Sequence, residues 1–346
     1  MQKLKLTRAQ QIYPLTEFMR SAGIAVDSYL SKHKLPLRML DMPDLYVDEN
    51  LVWRLMENLA WREGLSDLGH RLGTGLDLAQ LGNVGEIICS QASLVQGLRT
   101  ACHLLNVESL GSIFELNSEN GYIYFGVRNR YHDERIPPIV ELYDLELLRR
   151  IVESSTGKFW LPPTINLRMG ALPDEFESTK ICSGALNFNC SHTAIAIPKR
   201  LLSLPMANYD SREFSLPINI QDDPTTADLK FTCEVTLLLE GYLGEKLDIA
   251  VAADLMHMSK RSFQRKLTQA GVSFRLIVEE ARFDMAKKLL DRTDLNITEI
   301  GFELGYTSTN NFSRAFQKWA GVSPTDYRFR TLELAASAEF EEQNTF

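Results

Sequence analysis

Apolar residues recur at intervals of three and four through most of the first 110 positions. This spacing places them on one face of a helix and predicts amphipathic helices. Four segments show it: 13–22, 27–33, 49–62 and 94–105. Asp48 and Ser93 directly precede two of these segments, and both residue types commonly cap helices.

Five glycines fall between the predicted helices, at Gly69, Gly73, Gly75, Gly82 and Gly85. Glycine disfavours helix interiors, so we expect an irregular stretch there. The glycines do not follow a predicted strand, as a nucleotide-binding loop requires.

The period changes after residue 110. Segments 112–116 and 122–127 have the composition of strands, and the Asn-Gly pair before the second is typical of a hairpin turn. Residues 139–154 predict an amphipathic helix, and three short strands follow at 165–169, 185–188 and 193–197. The mixture predicts an α+β domain with an antiparallel sheet.

Composition divides the chain into four parts. Residues 1–205 form the predicted α+β domain, and residues 206–228, with Pro217 and a polar Asp-Asp-Pro-Thr-Thr run, have the composition of a linker. Residues 229–330 are predicted to be all helical, and residues 331–346 form an acidic tail.

Residues 248–330 contain one design twice. In the first copy a short apolar helix, 249–256, is followed by a turn at 257–258 and a second helix over 259–270. In the second copy the corresponding segments are 297–302, a turn at 304–306 and a helix over 308–319. A helix over 274–291 joins the copies, so the pattern predicts two helix-turn-helix units on one linker helix.

Each second helix has one apolar face and one polar face. Phe263 and Leu267 form the apolar stripe of the first, and Phe312, Ala315, Phe316 and Trp319 form that of the second. The segment 259–275 contains five basic residues and no acidic residue. This charge asymmetry suits a helix that enters a phosphate-lined DNA groove.

The bulk composition narrows the class of protein. The chain has 346 residues, 45% hydrophobic and 24% charged, which is typical of a globular protein with two domains. The net charge of −8 argues against non-specific coating of nucleic acid, but it permits a basic face. We expect a cytoplasmic protein, because neither a membrane span nor a secretion signal is evident.

The five cysteines indicate neither a disulfide framework nor a metal site. Their number is odd, and no Cys-x-x-Cys pair occurs. Cys182, Cys190 and His192 lack a fourth ligand at zinc-like spacing. We expect no metal, no cofactor and no catalytic residue.

Residues 248–328 resemble the DNA-binding domain of the AraC/XylS family of bacterial regulators. The resemblance rests on the ordered motifs at 300–306, 311–319, 321–324 and 327–328, and on 262–267 and 271–274 in the first copy. Gly301 departs from the family, which usually has alanine there, and can weaken its helix by up to about 1 kcal/mol.

The resemblance implies that both second helices enter successive major-groove segments, about 34 Å apart. By family position, the candidates for contact with base edges are Arg261, Arg265, Thr309, Asn310 and Arg314. The candidates for phosphate contact are Ser259, Lys260, Gln264, Ser313 and Lys318. The family further implies activation through RNA polymerase, formation of a homodimer and control by a small-molecule effector.

The region from about 10 to 205 resembles, more weakly, the regulatory domain of a longer subgroup that includes ornithine-utilisation-type regulators. The matching features are segments 81–85 and 90–94, the hairpin at 112–127, and segments 185–188 and 195–201. The helix-rich beginning favours an α+β fold over the small β-barrel of the arabinose regulator.

No effector-binding residue can be nominated from the sequence. Trp61, Tyr122, Tyr124 and Phe125 are candidates for a pocket, although core packing is the commoner role of such residues. Helix 139–154 is a candidate dimer face, with core packing again the expected role.

Two other classes of protein are weighed against a regulator of this kind. One is an enzyme fused to a DNA-binding domain, which would need a reactive cysteine and zinc ligands that are not evident. The other is a module controlled by, or acting through, protein contacts alone, against which the intact polar faces of both second helices argue.

Overall fold

The computed structural model describes residues 4–131, 136–157, 160–173, 181–206, 227–245, 247–292 and 294–329. These residues form two compact units, one with the residues up to 206 and the other with the residues from 227 onward. The predicted linker lies almost entirely outside the described residues, and the predicted tail lies wholly outside them.

The described part of the first unit contains seven α-helices. They are α1 (Tyr13–Ser21), α2 (Val26–Lys32), α3 (Glu49–Glu63), α4 (Leu68–Thr74), α5 (Asn83–Cys89), α6 (Leu94–Glu108) and α7 (Pro138–Thr156). Asp48 caps α3 as predicted, because its side chain accepts a hydrogen bond from the Asn50 amide at 3.0 Å. Ser93 precedes α6, but its hydroxyl donates to Gln96 Oε1 at 3.3 Å and caps no backbone amide.

The prediction of an irregular stretch between α3 and α6 is wrong in part: Gly75 and Gly82 lie outside the α-helices, but the short helices α4 and α5 form in this stretch. Gly69 and Gly73 lie inside α4, and Gly85 lies inside α5. A Cβ atom at Gly69 would lie 1.8 Å from the Ile139 carbonyl oxygen, and one at Gly73 would lie 2.1 Å from Glu146 Cβ. The glycines therefore let the α4 backbone pack against α7, and this tertiary contact offsets their low helix propensity.

Two β-sheets accompany the helices. Strands β1 (Leu6–Arg8) and β2 (Tyr46–Asp48) pair antiparallel, although the sequence predicts no strand in this region. The larger sheet has the order β3-β4-β7-β5-β6. Its strands are β3 (Ser112–Glu119), β4 (Tyr122–Asn129), β5 (Thr164–Asn166), β6 (Ala185–Asn187) and β7 (Thr193–Pro198).

The larger sheet is antiparallel except at one pair. The β3–β4, β4–β7 and β7–β5 pairs are antiparallel, as predicted, whereas β5 and β6 run parallel. The predicted strand at 165–169 is shorter than expected, because β5 ends at Asn166. The α+β class of this unit is confirmed.

The core of the first unit lies between the sheet and helices α6 and α7. All six residues of β7 are buried, and Phe125 of β4 is fully buried. Helix α7 is buried along most of its length, so its predicted core packing is confirmed, and its candidate role as a dimer face stays a prediction. Trp61 is 82% exposed, so neither the core nor a pocket holds it, and Tyr122 and Tyr124 are half-buried.

The described part of the second unit is all helical. Its helices are α8 (Ala227–Glu240), α9 (Ile249–Leu255), α10 (Lys260–Gln269), α11 (Phe274–Arg292), α12 (Ile297–Glu303) and α13 (Thr309–Ala320). The predicted pairs α9–α10 and α12–α13 and the linker helix α11 are confirmed. Helix α11 buries Ile277, Ala281, Ala286 and Leu289, the four residues that its spacing predicts to face inward.

Candidate DNA-binding interface

The first helix-turn-helix unit is fixed at both helix starts by side-chain caps. Asp248 accepts hydrogen bonds from the amides of Ala250 and Val251, at 2.7 and 3.0 Å, and begins α9. Ser259 Oγ accepts from the Ser262 amide at 3.2 Å and begins α10. His257, in the turn between the two helices, has a φ of 52°, a left-handed conformation uncommon outside glycine.

Helix α10 is held by its aromatic side. Phe263 is fully buried, and its ring packs edge-on against Phe231 of α8 and Phe274 of α11, with centroid distances of 6.0 and 6.3 Å. Leu267 is buried beside it. Because these contacts fix the rotation of α10 about its axis, they also fix which side chains face solvent.

The opposite face of α10 is exposed and basic. All predicted contact residues of the first helix-turn-helix unit lie on this face: Ser259, Lys260, Arg261, Gln264 and Arg265. The structure therefore leaves all five accessible to a DNA groove. The Ser259 hydroxyl is also the helix cap, so a phosphate would share it with the Ser262 amide.

The second helix-turn-helix unit has the same arrangement, with a larger aromatic core. Asn296 caps α12 through the amides of Thr298 and Glu299, and Ser308 Oγ caps α13 by accepting from the Asn311 amide at 3.3 Å. Gly305 in the turn has a φ of 81°, as its position in the motif predicts.

Phe312 and Phe316 of α13 are fully buried. Their rings meet at 5.9 Å, and Phe316 also contacts Phe283 of α11 at 5.6 Å and Tyr327 at 5.4 Å. Trp319 is only partly buried and packs against Phe283 at 5.6 Å. These rings support the helix and are not available to stack on bases.

The outward face of α13 is polar but less uniformly exposed than that of α10. Asn310, Arg314 and Lys318 are exposed, whereas Thr309 and Ser313 are partly buried. The Thr309 hydroxyl donates to Thr298 Oγ1 on α12 at 3.0 Å. Thr309 therefore helps to hold the two helices together, a role that the sequence analysis missed because the partner is eleven residues away.

Gly301 lies where α12 crosses α13. A Cβ atom there would lie 3.2 Å from Phe312 Cβ, tighter than most contacts of that kind. The departure from the family's usual alanine thus coincides with a close approach of the two helices.

The linker helix α11 makes polar as well as apolar contacts with other helices of the DNA-binding unit. Arg282 Nε donates to the Leu304 carbonyl at 3.0 Å, and its guanidinium lies 4.9 Å from the centre of the Tyr306 ring. Burial raises the pKa of the Tyr306 hydroxyl, and the Arg282 charge opposes that effect. Lys288 of α11 pairs with the buried Glu240 of α8.

The first unit contains a cavity that the sequence analysis did not find. It lies among helices α1, α3, α6 and α7 and has a volume of about 80 Å³. Val140, Asp144 and Leu147 of α7 are spaced by four and three residues, so they form a second face of this helix that points inward. The sequence does not show this face clearly, because the apolar stripe from Ile139 to Val152 gives a stronger helical signal. None of the four aromatic pocket candidates lines this cavity.

Neither a metal site nor a membrane span is evident where the chain is described. Within the described ranges, no cluster of His, Cys, Asp or Glu residues is arranged to hold a metal ion. No helix of that part of the chain is both long and apolar enough to cross a membrane.

Comparison with known proteins agrees with the geometry. A helix-turn-helix domain model matches residues 252–330, and a model described as the arabinose-binding domain of AraC transcription regulator, N-terminal, matches residues 23–206. An ornithine utilization regulator from Pseudomonas aeruginosa is 24% identical over 331 residues, which covers 91% of this chain and 94% of that protein.

Two further proteins align over most of their length. The transcriptional regulator VirS from Mycobacterium tuberculosis is 22% identical over 327 residues, covering 93% of this chain and 96% of that protein. The crystal structure of the transcriptional regulator CdpR from Pseudomonas aeruginosa is 18% identical, covers 87% of this chain and 96% of its own, and superposes with a TM-score of 0.36.

Paired helix-turn-helix units on one linker helix, following a separate α+β unit, define a DNA-binding regulator of transcription. Because the N-terminal family model alone matches more than half of the residues, the chain belongs to the AraC family of transcription regulators. It is a regulator and not an enzyme, as the sequence predicts.

Proposed function

We propose that this protein recognises a specific DNA site by placing α10 and α13 in successive major-groove segments of one duplex. The observation that carries the proposal is that aromatic contacts to α11 fix both helices while their polar faces remain open. A single rigid linker helix is the simplest way to keep two recognition helices in register with one face of B-DNA.

Specific contacts are assigned to the exposed ends of long polar side chains. Arg261 and Arg265 on α10 and Arg314 on α13 can donate two hydrogen bonds to guanine O6 and N7, and Asn310 can pair with adenine N6 and N7. Thr309 is the fifth base-edge candidate, although its hydroxyl already donates to Thr298.

Phosphate contacts position the helices on the duplex. Five residues are assigned to them: Ser259, Lys260, Gln264, Ser313 and Lys318. The helix starts at Ser259 and Ser308 also present backbone amides, which favour anions.

Regulation by the first unit is the second part of the proposal. We infer that residues 1–205 bind a small effector, that the protein acts as a homodimer in the cytoplasm, and that it activates transcription through RNA polymerase. The cavity among α1, α3, α6 and α7 supports effector binding, and family membership supports the remaining steps. Control through protein contacts alone is the competing mode of regulation.

The experiment is a footprint at defined salt with excess random-sequence competitor DNA. Sites are first found by mapping where the full-length protein binds in its genome. A specific regulator protects two adjacent major-groove segments and keeps this protection above the competitor. Protection that disappears together with non-specific binding as competitor is added would contradict the proposal.

A further inference from the structure

The cavity of the first unit combines a hydrocarbon wall with buried acids at one side. Its apolar lining includes Leu15, Val52, Met56, Leu72, Leu105 and Val140. Its acidic residues come from different elements, Glu49 from the start of α3, Glu108 from the end of α6 and Asp144 from α7. Apolar walls with a few convergent polar groups are the usual composition of a small-molecule site.

Glu49 has hydrogen-bonding capacity that the surrounding protein does not use. The residue is 8% exposed, and its Oε1 accepts from the Ser109 hydroxyl at 3.0 Å. Its Oε2 atom is buried and accepts no hydrogen bond from the described residues. A buried carboxylate oxygen without a hydrogen bond destabilises the folded protein. A ligand that donates a hydrogen bond to Oε2 would remove this cost.

Tyr143 and Asp144 bring two more polar groups to the same cavity. Both residues are half-buried and both line the cavity. The Tyr143 hydroxyl is buried and has no hydrogen-bond partner among the described residues. A ligand that donates to Glu49 and Asp144 could also accept from, or donate to, this hydroxyl.

Acidic groups outnumber basic groups around Glu49 and Asp144. Glu49 is faced by the Lys5 ammonium and by Asp48, and the Ser109 and Ser112 hydroxyls lie against it. Asp144 is faced by Glu49 and Glu141, with Arg168 opposing them. Glu108 is already paired with Arg8, whose Nε lies 3.4 Å from its Oε1. Asp144 therefore lacks a full counter-charge within its own surroundings.

We propose that this cavity binds a small organic amine in its cationic form, with the ammonium group between Glu49 and Asp144 and the hydrocarbon body against the apolar wall. An organic anion would meet more acidic than basic groups here, and the Lys5 ammonium already faces Glu49. A sugar would leave many hydroxyls against hydrocarbon, where each unpaired hydroxyl is costly. The inference names the effector class and rests on the regulation proposed above, but binding itself can be measured without DNA.

Binding of a cation to these acids must be linked to protons. Burial raises the pKa of Glu49 to about 7, and it also raises that of Asp144, aided by the nearby Glu49 and Glu141 charges. Glu49 is more protonated at pH 6 than at pH 8, and an ammonium ligand requires its ionised form. Amine affinity should rise about tenfold between pH 6 and pH 8, with proton release on binding.

The experiment uses the full-length protein and three matched series of probes. These are butylamine and hexylamine, the corresponding primary alcohols, and the corresponding carboxylates, with arabinose added as a neutral polyol. Thermal unfolding and calorimetric titration measure binding, and titration in two buffers of different ionisation enthalpy measures proton release. The amines should bind and raise the unfolding temperature, with hexylamine binding more tightly than butylamine, and the other probes should not.

Two conservative variants and one control locate the ammonium group. Glu49→Gln and Asp144→Asn should each lower amine affinity at least tenfold, whereas Glu57→Gln, an exposed residue on the same helix, should leave affinity unchanged. The pH dependence and proton release of the wild-type protein provide evidence that does not depend on either variant folding. Circular dichroism establishes that each variant is folded.

Four results would overturn the inference: no binding by either amine, equal binding by the alcohols, tighter binding by the carboxylates or arabinose, or amine affinity that is unaffected by both variants. A footprint on the same preparation separates this inference from the proposed function. A protein that binds amines but no specific DNA site contradicts only the proposed function, and the reverse result contradicts only the amine site.

Discussion

Arg282, in the middle of the linker helix, donates a hydrogen bond from Nε to the backbone carbonyl of Leu304 at 3.0 Å. Leu304 is the C-cap of α12, directly after its last residue, so its carbonyl has no partner within that helix. The same guanidinium lies over the Tyr306 ring. One side chain thus satisfies a helix end and fixes the turn that aims α13.

Replacing Arg282 by methionine should lower the free energy of unfolding of the second unit by about 1–3 kcal/mol, because a buried carbonyl loses its donor and a ring loses its cation. Urea unfolding can measure this loss by tryptophan fluorescence if Trp53, Trp61 and Trp160 of the first unit are replaced by phenylalanine in both proteins, so that Trp319 reports on α13. Arg275→Met is the matched control, because the Arg275 side chain is 87% exposed and forms a surface pair with Glu279. Equal losses in the two variants would show that the Leu304 contact contributes nothing specific.

Phe316 carries the packing of α13, as its full burial and three ring contacts indicate. Phe316→Ala should destabilise the second unit by about 3–5 kcal/mol, since it removes a large buried ring and leaves a cavity. Phe302→Ala is the control on the neighbouring helix, where the ring is 57% exposed, and should cost less than about 1 kcal/mol. Denaturant midpoints of the two variants compare them directly. A loss below about 1 kcal/mol for Phe316→Ala would show that contacts of other residues, and not the Phe316 ring, stabilise α13.

The sequence predicts the second unit well because its helices carry strong, uninterrupted apolar stripes. Phe263 with Leu267, and Phe312 with Phe316, are spaced so that only one face of each helix can be buried, and the opposite face follows from that choice. Their caps, Ser259 and Ser308, are of the residue types that begin helices. The outward faces of both helices could therefore be predicted without coordinates. The contact residues on them come from the family resemblance, and two of these residues, Thr309 and Ser313, are partly buried.

The first unit is harder to predict because long-range contacts decide its local structure. Gly69 and Gly73 disfavour a helix by themselves, and only the approach of α7 explains α4. Strands β1 and β2 have three residues each, too short for a period to show. Glu49 and Asp144 are far apart in sequence, so only the fold reveals that they share a cavity.

Arg265 is expected to read a base. Arg265→Ala should weaken binding to the specific site by about 1–3 kcal/mol and relax the base preference in one half of that site, while binding to random DNA changes much less. Titrations against the specific site, single-base variants of it and random duplex measure this difference. Arg20→Ala removes an equal charge from an exposed position in the other unit and serves as the control. Equal weakening on specific and random DNA would instead assign Arg265 to phosphate contact.

Glu49 should make the stability of the first unit depend on pH near neutrality. Burial raises its pKa from 4.5 to about 7, so between these values the folded state holds a proton that the unfolded state releases. The contribution of this proton to the free energy of unfolding is therefore fully present below about pH 4.5 and is lost as the pH rises through about 7. The corresponding free energy is at most about 3 kcal/mol.

Unfolding at pH 5 and pH 8 in the wild-type protein and in Glu49→Gln measures this dependence. The wild type should lose more stability than the variant over that interval, because glutamine cannot ionise but can still accept the hydrogen bond from Ser109. Lys5 and Asp48 face position 49 in both proteins. Glu57→Gln should keep the wild-type dependence, since that side chain is exposed. If the wild type and Glu49→Gln gave parallel curves, Glu49 would be ionised in the folded protein throughout this range, and its burial would have to be compensated by Lys5.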